Sequence, residues 1–208
     1  MTLLNIAEIC TTTQTLGPGK RFVIWLQGCC FRCPQCVSPD WIPQKPAHLI
    51  DPVRLGELIL SIPDLEGLTI SGGEPMLQAK GLLELFTYLR QRRELSIICY
   101  SGFTLEQLCT KSSLAIDSIL AMIDVLIDGQ YIAELDDNLG LRGSSNQVVH
   151  FLSSHYISQV DMFTKGKRNV EIHLLGEQAL LVGVPPQNFI NQFHAIVGGE
   201  QVVHQKKD

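Results

Sequence analysis

Four of the seven cysteines of the chain lie within eight consecutive residues, in the segment GCCFRCPQC at positions 28–36. Cys29, Cys33 and Cys36 have the spacing C-x3-C-x2-C. Three thiolates on one loop can bind three irons of a cubane cluster and leave the fourth iron open, whereas an ordinary electron-transfer cluster has four cysteine ligands. An open position is typical of a metal that binds its substrate. We therefore predict that these three cysteines are the metal-binding and catalytic residues and hold one 4Fe–4S cluster.

A structural zinc site is the alternative interpretation of the same cysteines. Closed zinc sites need a fourth ligand and usually contain two paired-ligand turns, but the nearest following histidine is the distant His48. Cys30 is interpreted as a small space-filling residue, because adjacent cysteines are poor joint chelators. Cys10, Cys99 and Cys109 occur singly in apolar surroundings, which predicts core residues. No second cluster is expected from them.

The cysteines follow a short run of apolar, β-branched and aromatic residues at 22–26, which predicts a buried strand. Similar runs predict three further strands, at 67–70, 95–100 and 124–127. Helices are predicted between them: one capped by Asp51, one at 81–93 and one capped by Thr104. Alternating strands and helices predict the fold class α/β, with a parallel sheet and helices on its outer face.

Functional residues of such sheets gather at the carboxyl ends of the strands. Segments rich in glycine and polar residues fall at these ends: the cysteine segment, Gly72-Gly73-Glu74, Tyr100-Ser101-Gly102 and Asp128-Gly129. We therefore expect these segments to form one site.

The cysteine spacing, followed by a strand that ends in GGEP at positions 72–75, resembles the signature of the radical S-adenosylmethionine (radical SAM) family. The resemblance implies a partial (β/α)6 TIM-like barrel and two cofactors, the 4Fe–4S cluster and SAM. In that family the amino and carboxylate groups of SAM bind the open iron. An electron from the cluster then splits the sulfonium, and the 5′-deoxyadenosyl radical so formed abstracts a hydrogen atom.

The resemblance also implies which residues bind SAM: Gly72, Gly73, Glu74, Pro75, Ser101 and Asp128. The backbone amides at Gly72 and Gly73 would face the methionine part of SAM, unless the two glycines only form a turn. Glu74 would lie near the SAM amine, or act as a simple acid at a helix start. Ser101 would contact the ribose or cap locally. Asp128 would hold a cation or a polar substrate group, or belong to a turn.

Other segments resemble the glycyl-radical-enzyme activases, and especially the small activase of the anaerobic ribonucleotide reductase. They are LGPGKR at 16–21, YSGFT at 100–104, IDVLIDG at 123–129 and LRGSSNQ at 141–147. The resemblance covers roughly residues 3–152. The chain departs from the activase pattern at Val37, where an aromatic residue is common, and at Glu74, where aspartate is frequent.

Two functions follow from the resemblance, and both act on a polypeptide backbone. An activase would abstract a Cα hydrogen from a glycine of a glycyl-radical enzyme. A splicease-type maturase would excise a tyrosine-derived tyramine unit from a ribosomally made precursor peptide, usually with a peptide-recognition partner protein. A small-molecule substrate and a simple electron-transfer role are weaker alternatives. In either polypeptide reaction the expected electron donor is a flavodoxin-type protein.

The chain continues past the end of the usual small activase, which predicts a radical SAM core at 1–152 and a C-terminal extension at 153–208. Residues 169–174 and 179–184 predict a β-hairpin around Gly176-Glu177, and 187–197 predict a short helix. The hairpin would offer an edge for strand addition by a peptide or partner. Alternatively, it would cover the edge of the sheet.

The net charge of −5 and the lack of a basic face argue against nucleic-acid binding. No stretch approaches the ~20 apolar residues that span a bilayer, and residues 1–12 lack a basic leader. These features predict a cytoplasmic protein that does not contact a membrane. In that compartment the cysteines are not expected to form disulfides.

Overall fold

The computed structural model describes residues 2–176 and 178–196, and its centre is a seven-stranded sheet. The strands of this sheet are β1 (Leu4–Thr13), β2 (Arg21–Leu26), β3 (His48–Ile50), β4 (Gly67–Gly72), β5 (Ser96–Ser101), β6 (Val125–Asp128) and β7 (Val148–Phe151). Their order is β3-β1-β2-β4-β5-β6-β7. Strands β2, β4, β5 and β6 are mutually parallel, and the outer strands pair antiparallel.

Helices occupy the connections between the parallel strands and the region after the sheet. They are α1 (Pro52–Ser61), α2 (Ala79–Arg90), α3 (Leu105–Cys109), α4 (Leu114–Leu120), α5 (Val160–Thr164) and α6 (Phe189–Ile196). The predicted caps are confirmed. The Asp51 side chain accepts hydrogen bonds from the first amides of α1, and Thr104 and Gln107 form a reciprocal capping box on α3.

The predicted α/β class with a mostly parallel sheet is confirmed, whereas the partial (β/α)6 barrel is not. The described residues contain four parallel strands, fewer than the six of a full set of β/α units. The sequence patterns also missed β1, β3 and β7. Buried residues do not alternate regularly along β1, and β7 has no buried residue. Strand β3 has only three residues, which is too short to show a period.

The two faces of the sheet have different cores. On β2, the side chains of Phe22, Ile24 and Leu26 pack among α1, α2 and α4. The alternate residues Val23 and Trp25 belong to the opposite, inner face, as the two-residue period of a strand requires. Residues that follow position 152 cover this inner face and bury their own apolar side chains there. The seven-stranded sheet thus has helices on one side and the later part of the chain on the other.

Arg21, at the start of β2, is a fully buried cation on the inner face. Its guanidinium donates hydrogen bonds to Thr69 Oγ1, at 2.8 Å, and to Ser96 Oγ, at 3.0 Å. It also donates to the Tyr156 hydroxyl at 2.8 Å and to the Leu68 carbonyl. Burial lowers the pKa of Arg21 from its ordinary value. Tyr156 comes after position 152, so this network joins the later part of the chain to the strands of the sheet.

A separate two-stranded sheet follows, made of β8 (Val170–Leu175) and β9 (Gln178–Gly183). These strands lie where the hairpin was predicted, while Glu177 of the turn and residues 197–208 of the extension are outside the described residues. The hairpin does not pair with an edge of the main sheet. The division of the chain at 152/153 stays a prediction. Within residues 2–176 and 178–196, no helix has the length and apolar character needed to cross a membrane.

We expect Tyr156→Phe to lower the free energy of unfolding by about 2 kcal/mol, because the variant removes a buried partner of a charged donor. For a chain of this size that corresponds to roughly 4–8 °C in melting temperature, measured on anaerobically prepared protein. Tyr88→Phe is the matched control. Its hydroxyl makes no hydrogen bond within the described residues, so a change below about 0.5 kcal/mol is expected. Equal melting temperatures for the two variants would contradict the network.

Candidate active site

The cysteine loop and the carboxyl ends of the parallel strands line one cleft of about 910 Å³. Cys29, Cys33 and Cys36 all face this cleft. The loop leaves β2 at Gly28, whose φ of 99° is a conformation that favours glycine. The amides of Gly28 and Cys29 donate to the carbonyls of Trp41 and Ile42, at 2.8 and 2.9 Å. These bonds fold the loop back on itself, so that the three thiols share one wall.

Partial burial raises the pKa of two of these thiols. Burial raises the pKa of the Cys29 thiol to about 11 and also raises the pKa of Cys36. The Phe31 amide donates to Cys29 Sγ at 3.4 Å, which acts in the opposite direction. Because metal binds the thiolate, loading of the site must release protons from these cysteines.

The donor set fits an iron–sulfur cluster better than a single metal ion. Among residues 2–176 and 178–196, no three His, Cys, Asp or Glu side chains are arranged to hold one ion. A cubane does not require that convergence, because each of its cysteines reaches a different iron. The alternative of a closed zinc site therefore has no set of ligands in the described part of the chain.

The remaining four cysteines do not line the cleft. Cys30 is exposed and does not line the cleft, so its interpretation as a space-filling residue is wrong. Cys10 and Cys99 are buried as predicted. Cys109 is exposed, and the prediction that it is a core residue is also wrong. It ends the short helix α3, in which the neighbouring Leu108 takes the buried position.

Backbone hydrogen bonds attach the end of β4 to the cysteine loop. The Gly73 amide donates to the Leu26 carbonyl at 2.7 Å, and the Glu74 amide donates to the Gly28 carbonyl at 2.9 Å. A Cβ atom at position 73 would lie 2.2 Å from the Gly28 oxygen, which no side chain tolerates. At position 72 a Cβ would lie 2.3 Å from the Leu26 amide nitrogen. Glycine is therefore required at both positions for β4 to approach the loop this closely.

These bonds change the expected role of the glycine segment. The sequence analysis predicted that the amides of Gly72 and Gly73 face SAM, but the Gly73 amide is already engaged within the protein. The Gly73 carbonyl, by contrast, accepts no hydrogen bond from any described residue. A free carbonyl at the cleft suits an ammonium group. Pro75 begins a 3-10 helix, Pro75–Gln78, and does not line the cleft.

Glu74 is fully buried, and its carboxylate joins the end of β4 to the end of β5. Oε1 accepts from Ser101 Oγ and from the Met76 amide, each at 2.9 Å, and Oε2 accepts from the Gly102 amide at 2.7 Å. Burial raises the pKa of Glu74, while these three donors oppose that shift. Ser101 in turn accepts from the Phe103 amide at 3.1 Å. Glu74 and Ser101 both line the cleft, but their hydrogen bonds hold the cleft wall together.

Asp128 is the one strand-end candidate whose carboxylate is directed elsewhere. It is 2% exposed and does not line the cleft, although the following Gly129 does. Asp128 Oδ2 accepts from the Leu105 amide at the start of α3 and lies 2.8 Å from His150 Nε2. The structure therefore gives Asp128 a local role, joining β6 to α3 and β7.

The segment around Gln147 also orders a wall of the cleft. Gln147 accepts from the Gly143 amide at 2.7 Å and donates to the Gly129 carbonyl at 2.8 Å. Ser144 is buried, and its hydroxyl accepts from the Ile132 amide. This arrangement favours the loop-ordering role of the segment over direct contact with SAM.

The sequence patterns missed the cleft residues contributed by the later chain. Arg168 lines the cleft with its side chain 1% exposed and pairs with Asp136 at 2.8 Å. It also donates to the carbonyls of Arg142 and Gly143, and its Nε has no partner among the described residues. A single arginine carries no sequence signal for this role, because its partners come from distant parts of the chain.

The fold and the cleft define an α/β protein in which three cysteines line a cleft at the carboxyl ends of the parallel strands. The family described as "4Fe-4S single cluster domain" matches residues 15–150. The chain belongs to this family, and it is a radical SAM enzyme of the activase-like type with a 4Fe–4S cluster and SAM as cofactors.

Curated relatives include two activating proteins of the anaerobic ribonucleoside-triphosphate reductase. The Vibrio cholerae protein is 32% identical over 142 residues, which cover 64% of this chain and 89% of the relative. The Haemophilus influenzae protein is 30% identical over 155 residues, covering 71% of this chain and 97% of the relative. A pyruvate formate-lyase-activating enzyme of Staphylococcus epidermidis is 38% identical over 80 residues, 36% of this chain and 32% of that enzyme.

The assignment of Cys29, Cys33 and Cys36 as the cluster ligands stays a prediction, and paired substitutions test it. We expect Cys33→Ala to lose nearly all bound iron after anaerobic reconstitution, because two thiolates do not retain a cubane. Cys30→Ala, three positions away, should retain iron at the level of the unmodified protein. The measurement is iron and sulfide content with the visible absorption spectrum. Iron loss in Cys30→Ala together with retention in Cys33→Ala would show that the ligand set is wrong.

Proposed function

We propose that this enzyme activates a glycyl-radical enzyme by abstracting a Cα hydrogen atom from a glycine of that protein. The observation that carries the proposal is the shared cleft. The three cysteines, the Gly73 carbonyl region and the ends of β5 and β6 line one space of about 910 Å³. That volume is within the range of sites that enclose cofactor-sized ligands, and its further walls extend over the hairpin. The names of the relatives support the same reaction class.

The roles of individual residues follow from their contacts. Cys29, Cys33 and Cys36 would hold the cluster and leave one iron open. The Gly73 carbonyl would accept a hydrogen bond from the SAM amine, since no described residue uses it. Glu74 would act indirectly, by fixing Ser101 and Gly102 at the position where SAM lies against β5.

The cofactors, when bound, supply a one-electron cleavage of SAM that yields the 5′-deoxyadenosyl radical. The chain itself would orient the substrate and exclude water. Trp25 and Trp41 line the cleft with ring centroids 5.6 Å apart, and Phe31 packs edge-on against Phe103 at 4.7 Å. Apolar walls of this kind protect a reactive species from side reactions.

The partners are proposed on the same basis. The substrate would be a polypeptide, and the electron would come from a flavodoxin-type donor. The donor would approach the outer side of the cysteine loop, where Cys30, Arg32 and Pro34 are exposed. A cytoplasmic location agrees with all seven cysteines being unpaired, because that compartment keeps thiols reduced. The four parallel strands would belong to the partial (β/α)6 TIM-like barrel that the radical SAM resemblance implies.

Maturation of a precursor peptide is the second candidate, and the length of the chain favours it. The Haemophilus influenzae relative is matched over 97% of its length but covers only 71% of this chain. The match to the family model ends at residue 150, before the hairpin that lines the cleft. An added wall at the site of chemistry agrees with a substrate that differs from that of the relatives, with or without a peptide-recognition partner.

An anaerobic turnover experiment separates these functions. The reconstituted enzyme would be reduced, given SAM, and mixed with the anaerobic ribonucleotide reductase of the same organism labelled with deuterated glycine. We expect a glycyl-radical signal in electron paramagnetic resonance and deuterium in the 5′-deoxyadenosine, because the hydrogen atom moves from glycine to the adenosyl group. Cys33→Ala is the inactive control.

Formation of 5′-deoxyadenosine that carries no deuterium, with no glycyl-radical signal, would contradict activation of the anaerobic ribonucleotide reductase. Stimulation of 5′-deoxyadenosine formation by a precursor peptide encoded beside the gene would then support the maturase.

A further inference from the structure

Strand β9 borders the same cleft as the cysteines. Nearly every one of its residues lines the cleft, whereas β8 contributes only Val170. A strand that presented one face would line a cleft with alternate residues. Lining by consecutive residues, such as Ala179, Leu180 and Leu181, means that β9 presents its edge to the cleft.

The register of the hairpin determines which backbone groups that edge carries. Leu175 and Gln178 pair across the turn. Because the turn between them is so short, the backbone amides and carbonyls of these two residues hydrogen-bond to each other. Because the two kinds of pair alternate in an antiparallel ladder, the pair His173–Leu180 is also hydrogen-bonded. The N–H and C=O groups of Ala179 and Leu181 therefore point away from β8.

These outward groups are available for pairing within the described structure. Neither the amides nor the carbonyls of Ala179 and Leu181 contact any hydrogen-bond partner among residues 2–176 and 178–196. The hairpin stands as its own two-stranded sheet and, within the described residues, does not pair with a strand of the main sheet. Among residues 2–176 and 178–196, no strand pairs with one edge of β9, and this edge faces the cleft.

The edge is held in a fixed position. Val182 is fully buried beside Val23 and Trp25, with Leu180 packed against the same cluster. The Thr15 hydroxyl donates to the Val182 carbonyl at 2.8 Å, and the Gln14 amide donates to Glu171 Oε1 at 2.9 Å. The hairpin is thus anchored on the inner face of β2, and a segment bound along β9 would be positioned relative to the cysteine loop that follows β2.

We propose that the glycine-bearing segment of the glycyl-radical enzyme binds in extended conformation along the free edge of β9, pairing with the backbone of Ala179 and Leu181. This inference rests on the proposed function. A glycine has no side chain by which an enzyme can hold it, so its Cα must be positioned through the main chain. Strand addition supplies that hold, because its affinity comes from main-chain hydrogen bonds.

Proline substitutions at the two edges of the hairpin test the proposal. Leu181 and Ile172 form one cross-strand pair whose amides both point outward, so Leu181→Pro and Ile172→Pro remove equivalent groups from opposite edges. Neither substitution removes a β8–β9 hydrogen bond, and proline is tolerated at such edge positions. Leu181→Ala controls for the side chain while it keeps the amide.

The measurement is the initial rate of glycyl-radical formation against reductase concentration, with iron content as the check on folding. Leu181→Pro should raise the KM for the reductase about tenfold, the effect of one lost hydrogen bond in a bound segment. Ile172→Pro should stay within about twofold of the unmodified enzyme, and Leu181→Ala, which keeps the amide, should raise the KM less than Leu181→Pro. Equal KM values for the two proline variants would overturn the edge proposal. Failure of the unmodified enzyme to form the radical would instead overturn the proposed function.

Hydrogen exchange on the unmodified holoenzyme decides the matter if Leu181→Pro does not fold. The Ala179 and Leu181 amides should become protected when the reductase is added with SAM, while those of Ile172 and Leu174 should not change. Protection of Ala179 and Leu181 before the reductase is added would contradict the proposal, because another part of this chain would then occupy the edge. Unchanged exchange at all four amides would contradict it as well.

Discussion

The close contact between the end of β4 and the cysteine loop is the constraint on which the site depends. Two main-chain hydrogen bonds, from the Gly73 and Glu74 amides to the carbonyls of Leu26 and Gly28, fix the loop against the strand. They can form only because residue 73 is a glycine, since a side chain at that position would collide with the Gly28 oxygen. The buried Glu74 carboxylate extends the same assembly to the end of β5. The residues of the radical SAM signature therefore hold the wall of the cleft together as well as line it.

The inner face of the sheet imposes the second requirement. A sheet with helices on one side must still bury its other face, and in this protein the residues after position 152 do so. Tyr156 reaches the buried Arg21 at the start of β2, while Val182 packs beside Trp25 near the other end of that strand. Covering the inner face therefore also brings β9 to the cleft, which links the stability of the sheet to the shape of the candidate substrate site.

Local signals in the sequence were sufficient to predict the parallel strands, the helix caps at Asp51 and Thr104, and the proximity of the cysteines to the glycine segment. They were insufficient where tertiary contacts decide the outcome. The Gly73 amide was expected to face SAM, but the close approach of β4 to the cysteine loop engages it within the protein. Asp128 was predicted to lie at the cleft because it ends a strand. Its carboxylate instead accepts a hydrogen bond from the first amide of α3 and contacts His150. Arg168 had no pattern that could indicate its role, since distant residues define its surroundings. The hairpin pattern predicted an edge for strand addition but not that β9 would line the cleft.

The central claim is that the three cysteines leave one iron of the cluster open for SAM, and the spectrum of the reduced cluster tests it most directly. Electron paramagnetic resonance would be recorded on the anaerobically reduced enzyme before and after SAM is added. The account predicts that SAM changes the g values of the cluster signal, because SAM becomes a ligand of the open iron. A full cluster whose signal is the same with and without saturating SAM would contradict it.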